Sequence, residues 1–192
     1  MPHLNPTHLA QRPAASRRRL PAVLLAAPLF LAVACGPAGQ PDGGSDGGSN
    51  APYTCDENDV CVLSGTITDD ITLTADKKWL LRGGVFIGDD VEETVLTIEP
   101  GTTIYGEERS TGFLVITRHS KIMAEGTPEA PIVFTSSKAP GSRARGDWGG
   151  LILNGNAQVN TGDEAYGEGG TGWYGGTDDD DSSGVLRYVR VE

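Results

Sequence analysis

The stretch "LTIEPGTTI", residues 96–104, decides the fold class because its apolar pattern returns along the chain. Its first, third and ninth positions are apolar. "LVITRHSKI" from Leu114 and "LILNGNAQV" from Leu151 share all three positions, and "IVFTSS" from Ile132 shares the first two. The four starts, Leu96, Leu114, Ile132 and Leu151, recur at a nearly constant interval, which is the mark of a repeat. The pattern is therefore not that of one hairpin.

Each run alternates apolar and polar residues and is rich in Val, Ile, Leu and Thr, which is typical of a strand with one buried face. One such strand cannot bury its face alone, whereas stacked copies can. The spacing predicts an all-β fold, a parallel β-helix with about 18 residues per coil, over a meander or small sandwich. We expect three inward columns: Leu96, Leu114, Ile132 and Leu151; Ile98, Ile116, Phe134 and Leu153; and Ile104, Ile122 and Val159.

Residues 1–34 have the composition of a signal peptide. They contain no acidic residue, and "SRRRL" precedes the apolar run "LPAVLLAAPLFLAVA", which is short for a membrane span. "LAVAC" resembles a lipobox, which implies lipidation of Cys35; an ordinary signal peptide is the alternative. The arginines fit either general secretory or twin-arginine export.

Cysteine usage agrees with that interpretation. A lipidated Cys35 leaves Cys55 and Cys61, which we expect to form a disulfide in an oxidising compartment. A zinc site needs more ligands, and His119 is the only histidine after the leader.

The rest of the chain divides into a tether and a domain. Residues 35–52 are rich in Gly, Ser and Pro, which predicts a flexible tether. Residues 53–192 are predicted to be the β-helix domain, with an N-terminal cap over 53–79 that includes Trp79. All 26 acidic residues follow the leader and four of the 15 basic ones lie in it, so the mature charge is 11 minus 26, or −15. This excess excludes nucleic acid as a partner.

Four segments carry a family resemblance: "LTIEPGTTIYGE", "SKIMAEGTPEAPIVFTSS", "RGDWGGLILNGNAQVN" and "SGVLRYVRVE". Together they resemble the N-terminal part of a family of bacterial exported lipoproteins with a parallel β-helix domain and no known function. The resemblance runs from about Trp79 to Glu192. It implies further coils after "YVRVE", so we expect the domain to be incomplete at Glu192, and with Gly36 after the cysteine it implies the outer membrane.

Two segments of the chain could hold a ligand. Four successive carboxylates, Asp178, Asp179, Asp180 and Asp181, are candidates for calcium, although a solvated acidic loop is the favoured interpretation. Trp173 and Tyr174, in a Gly-rich insertion over residues 162–181 that also holds Tyr166, are candidates to stack on a sugar or a protein partner, or to cover the side of the coil.

No catalytic residue is assigned. No nucleophile motif such as "GxSxG" accompanies His119. The tripeptide "RGD" at 145–147 is interpreted as a structural corner and not as an adhesion motif. Asp147, Asp178 and Asp180 are the carboxylates that a polysaccharide-cleaving enzyme would use.

The sequence predicts an exported envelope lipoprotein, a non-enzymatic binding or structural β-helix. Its expected partners are membrane lipid, through acylated Cys35, and an envelope protein or a glycan. It would face the periplasm or the cell surface. No cofactor is predicted, and calcium is the one candidate. A carbohydrate-active β-helix that binds or cleaves polysaccharide is the alternative.

Overall fold

The computed structural model describes residues 51–192. The predicted signal peptide 1–34, the predicted lipidation site Cys35 and the predicted tether up to Asn50 lie outside these residues. Within 51–192 the fold is all-β, and no helix there is long and apolar enough to cross a membrane. A short 3-10 helix covers Glu168–Gly170, and the strands are β1 Tyr53–Cys55, β2 Val60–Ile67, β3 Ile71–Leu73, β4 Lys78–Ile87, β5 Val95–Ile98, β6 Thr103–Gly106, β7 Phe113–Ile116, β8 Lys121–Glu125, β9 Ile132–Ser136, β10 Gly150–Leu153, β11 Ala165–Tyr166, β12 Trp173–Tyr174, β13 Gly184–Arg187 and β14 Val189–Val191.

The strands stack in parallel in three columns. The long strands β2 and β4 each contribute to two columns. The first column contains the N-terminal halves of β2 and β4, followed by β6, β9 and β14. The second contains the C-terminal halves of β2 and β4, followed by β7 and β10. The third column is β3, β5, β8 and β13. From β2 to β9 the chain passes through the first, second and third columns in turn, so each column gains one strand per passage.

The predicted period of the coil is wrong. Leu96 in β5 pairs with Ile122 in β8, and not with Leu114 in β7. The first two steps of the predicted period pass from a strand to the next but one, β5 to β7 to β9, and these strands lie in three different columns. The third step passes from β9 to the next strand, β10, which lies in the column of β7. The error has a physical cause, because every strand carries the same alternating pattern whichever column it joins.

The predicted columns are corrected accordingly. Only Leu114 with Leu151 and Ile116 with Leu153 share a column as expected, and they are direct neighbours. The prediction places Ile132 and Phe134 between them. The third expected column does not exist: Ile104 pairs with Phe134, Ile122 with Leu96 and Gly184, and Val159 forms an isolated antiparallel bridge.

The inward assignment is correct for most of the predicted residues. Large side chains with almost no exposure form one continuous core. Leu151 is half-buried and Leu153 is 42% exposed, because β10 has a paired strand on one side only. The core includes Leu63, Leu73, Trp79, Leu81, Ile87, Leu96, Ile98, Ile104, Leu114, Ile116, Ile122, Ile132 and Phe134.

The N-terminal end is closed by a disulfide hairpin. β1 and β2 pair antiparallel, and the disulfide between Cys55 and Cys61 is confirmed, with the Cα atoms 3.9 Å apart. Trp79 lies in the core, where its Nε1 donates to the Thr74 carbonyl at 2.9 Å and its ring meets Tyr53 edge-on. Parallel pairing begins at Val60, within the range predicted as a cap.

Candidate functional site

The aspartates proposed for calcium bind the backbone of a neighbouring loop. Asp181 Oδ2 accepts from the Asn156 amide at 2.8 Å, and Asp179 Oδ1 accepts from the Gln158 amide at 3.1 Å. Across residues 51–192, no group of three or more His, Cys, Asp or Glu side chains is placed to hold a metal ion. These bonds join two loops, and calcium binding at residues 178–181 stays a prediction.

The aromatic candidates lie on a small hairpin. β11 and β12 pair antiparallel, with Tyr166 opposite Trp173. The two rings meet edge-on, with centroids 5.1 Å apart, and both are exposed, whereas Tyr174 is half-buried. Successive strand residues point to opposite faces, so the exposed pair is Tyr166 with Trp173 and not Trp173 with Tyr174.

The three candidate catalytic carboxylates do not share a cavity. Asp178 and Asp180 line a shallow polar depression of about 480 Å³ together with His119. Asp147 is buried elsewhere, where it accepts hydrogen bonds from Ser136, from Lys138 and from the amide of Ala144, which directly precedes the "RGD" tripeptide. The arrangement agrees with the interpretation of "RGD" as a structural corner.

A groove on the outer face of the first column is the better candidate site. Trp79 and Leu81 point into the core, so the alternate residues Lys78 and Leu80 point outward. Parallel pairing places Leu80 beside Tyr105 of the next strand. These outward residues line a largely apolar cavity of about 300 Å³, the outer groove, formed by Val60, Lys78, Leu80, Tyr105 and Ser137.

The outer groove continues into a group of charged side chains. A second cavity of about 330 Å³ shares Leu80 and Ser137 with it. Its other lining residues are here called the charged corner: Glu107, Glu108, Arg109 and Lys138. The site thus places an apolar and aromatic floor next to acidic and basic groups.

Backbone hydrogen bonds between successive passages of the chain fix the charged corner. The Glu107 amide donates to the Leu81 carbonyl at 2.9 Å, and the Ser137 amide donates to the Gly106 carbonyl at 2.9 Å. Gly106 is required here because a Cβ would lie 2.5 Å from the Cβ of Trp148. Alanine at this position would therefore force a shift under the groove.

Ion pairs hold the charged side chains in place. Arg82 Nε contacts Glu107 Oε1 at 3.0 Å. Lys138 Nζ lies 3.5 Å from Glu108 Oε1 and 2.7 Å from Asp147 Oδ1. The ion pairs therefore form two sets, Arg82 with Glu107 and Lys138 with Glu108 and Asp147, which come from three passages of the chain.

These contacts stabilise the ionised form of each shifted group. The Ser110 hydroxyl and then Arg82 lower the pKa of Glu107, and the hydrogen bond to Asp147 raises the pKa of Lys138. Lys138, followed by the Ala144 amide and the Ser136 hydroxyl, lowers the pKa of Asp147 to about 2. General acid–base catalysis is most efficient with a pKa near the working pH. The corner is therefore better suited to bind a ligand through its own permanently charged side chains than to transfer a proton.

Sequence reasoning missed this site. Leu80 and Tyr105 belong to successive passages of the chain, and the period predicted from the sequence does not bring them into contact. The sequence did contain one signal, the alternation of inward and outward residues. It places Leu80, between Trp79 and Leu81, and Tyr105, between Ile104 and Gly106, on the outer face of their strands.

The fold and the site together define a parallel-stranded all-β domain with an external groove. A family model described as pectate-lyase like beta helix domain matches residues 65–192. The chain therefore belongs to the family of pectate-lyase-like beta helix domains, and the predicted β-helix domain is confirmed. Searches of curated proteins and of solved structures found no match.

Proposed function

We propose that this β-helix is a non-catalytic module that binds a glycan in the outer groove. The observation that carries the proposal is the apolar floor of Leu80 and Tyr105 beside a corner of fixed charges. Such a combination suits a sugar, whose ring packs on apolar side chains while its hydroxyls bind polar groups. The description of the family as pectate-lyase-like supports a carbohydrate ligand.

The charge of the protein favours a neutral glycan. The predicted mature chain carries 11 basic and 26 acidic residues, a net −15, and would repel a polyanionic chain. Inside the site the signs are mixed: Glu107 and Glu108 lie with Arg109 and Lys138. Mixed fixed charges offer both donors and acceptors to uncharged hydroxyl groups.

The electrostatics of the site support glycan binding without cleavage. Lys138 and Glu107 are both held in their charged forms, which leaves neither poised to exchange a proton near neutral pH. Cleavage is the second candidate because the family is described by likeness to an enzyme. Release of reducing ends or unsaturated products would distinguish the two.

Glycan binding is tested with a panel of soluble neutral polysaccharides and a Tyr105→Ala variant. We expect one or more polysaccharides to bind, with affinity reduced about tenfold in Tyr105→Ala because the aromatic floor is lost. The matched control is Tyr166→Ala, an exposed tyrosine on the hairpin. The proposal would be refuted if Tyr105→Ala and the parent bound polysaccharide with equal affinity, or if the parent bound none. Formation of cleavage products would favour the second candidate, a polysaccharide-cleaving enzyme.

We further propose that Cys35 is lipidated and anchors the module through the 35–52 tether. The lipobox-like "LAVAC" and the charge-free, Gly-rich start of the tether support this placement at a membrane surface. Expression from the native leader should give a membrane-fraction protein heavier, by its acyl groups, than the chain that begins at Cys35. Cys35→Ala should lack that mass. A soluble, unmodified parent protein would overturn the anchor and leave the glycan proposal standing.

A further inference from the structure

A second surface lies apart from the outer groove, on the hairpin of β11 and β12, here called the aromatic hairpin, residues 165–174. It presents Tyr166 and Trp173, 55% and 42% exposed. Their rings contact each other edge-on, so each restricts the other's rotation. Large aromatic side chains exposed as a pair are unusual where nothing covers them.

Polar contacts attach the aromatic hairpin to the parallel strands. Arg118 Nη1 donates to Glu164 Oε2 at 2.7 Å and to the Gly175 carbonyl at 3.3 Å. Asn154, which is buried, donates from Nδ2 to the Thr171 carbonyl at 2.7 Å. The hairpin is thus held at both ends and near its turn, and the two rings lose little conformational entropy when a ligand binds.

The sequence of the hairpin and its flanks carries acidic charge only. Residues 162–181 contain seven acidic residues, and no Lys, Arg or His occurs between residues 146 and 186. Arg118 reaches the hairpin from another strand connection, where it pairs with Glu164. The acidic excess therefore gives the hairpin and its flanks a negative net charge, and with it a negative field.

We propose that the aromatic hairpin binds a basic protein segment that presents Arg or Lys side chains. A cation over the face of a Trp or Tyr ring is attracted by the ring quadrupole, and the surrounding carboxylates add to this attraction. The negative field does not attract neutral sugars, and it repels anionic lipids and nucleic acids. This inference is independent of the glycan proposal because it uses none of the groove residues.

The test is titration of the full chain with an arginine-rich peptide and with an uncharged peptide of equal length, at physiological salt. The Trp173→Ala variant keeps the net charge and removes the larger ring. We expect it to bind the arginine-rich peptide about three- to tenfold more weakly than the parent. Trp173→Tyr should retain most of the affinity, Tyr166→Ala should weaken it, and Tyr105→Ala should leave it unchanged.

Three outcomes would overturn the inference. Equal binding by Trp173→Ala and the parent would mean that the acidic field alone holds the peptide. Equal binding of the uncharged peptide would remove the role of charge. Loss of polysaccharide binding in Trp173→Ala, with peptide binding intact, would assign the aromatic hairpin to the glycan. Circular dichroism of each variant confirms that the fold is retained.

Discussion

Replacing Ile116 by Asp is expected to abolish cooperative folding of the β-helix domain. Ile116 has no exposed surface and pairs with Ile87 and Leu153 in the second column. The core around it is apolar, so the carboxylate would be buried without a partner. We expect a destabilisation of about 5 kcal/mol or more, comparable to the whole stability of a small domain. Thermal and urea unfolding measure the loss.

The matched control for this substitution is Val91→Asp. Val91 is 71% exposed, so the same added charge stays in water and should leave the melting temperature nearly unchanged. If Ile116→Asp melted like the parent, the inward assignment of β7 would be wrong.

Replacing Asp147 by Asn is expected to weaken the charged corner and to flatten the acid dependence of stability. Asp147 accepts hydrogen bonds from Ser136, Lys138 and the Ala144 amide. The side chain of Asn carries no charge to form an ion pair with the Lys138 ammonium, and it has one acceptor oxygen where Asp has two. We expect the melting temperature at neutral pH to fall by several degrees.

The sign of the pH effect follows from the depressed pKa of Asp147. Its pKa falls from the ordinary 3.8 to about 2, so the stabilisation is fully present above 3.8 and is lost as the pH falls toward 2. The parent should therefore lose more stability over this interval than Asp147→Asn. Asp163→Asn, at an exposed position of the Gly-rich insertion, is the control. Parallel pH profiles for the parent and Asp147→Asn would contradict the assignment.

Much of the fold could be predicted from local pattern. The alternation in "LTI" and "LVI" identified β5 and β7 and most of the buried face, because a strand's two faces follow directly from residue order. Cysteine count identified the pair Cys55 and Cys61. Both inferences depend only on short-range chemistry.

The stacking register could not be predicted in the same way. Loop lengths between strands vary, so the sequence separation of Leu114 and its partner Leu151 is about twice that of Leu63 and its partner Leu81. A search for one fixed period finds the commonest spacing between similar strands, which here joins different columns. The register depends on which apolar side chains fill the core together, a property of the whole domain.

The candidate site was missed for the same reason. The outer groove brings together residues from several passages of the chain, and none of Leu80, Tyr105 and Ser137 belongs to a motif. The charged corner is also invisible locally, since Arg82 and Glu107 meet only when β4 and β6 are adjacent. The exposed aromatic pair was partly predictable. Trp173 was singled out from the sequence together with Tyr174, whereas its neighbour on the exposed face is Tyr166.

The central claim is that parallel pairing places Leu80 beside Tyr105 and so forms the outer groove. Outward residues on neighbouring strands lie about 5 Å apart, close enough for a disulfide. In the Leu80→Cys/Tyr105→Cys double variant, oxidation followed by digestion and mass spectrometry should yield a peptide pair cross-linked between the two new cysteines, with the Cys55–Cys61 bond intact. The comparison variant, Leu80→Cys/Ile98→Cys, places cysteines one predicted period apart and should not cross-link. Cross-linking of the second pair without the first would contradict the register and remove the groove.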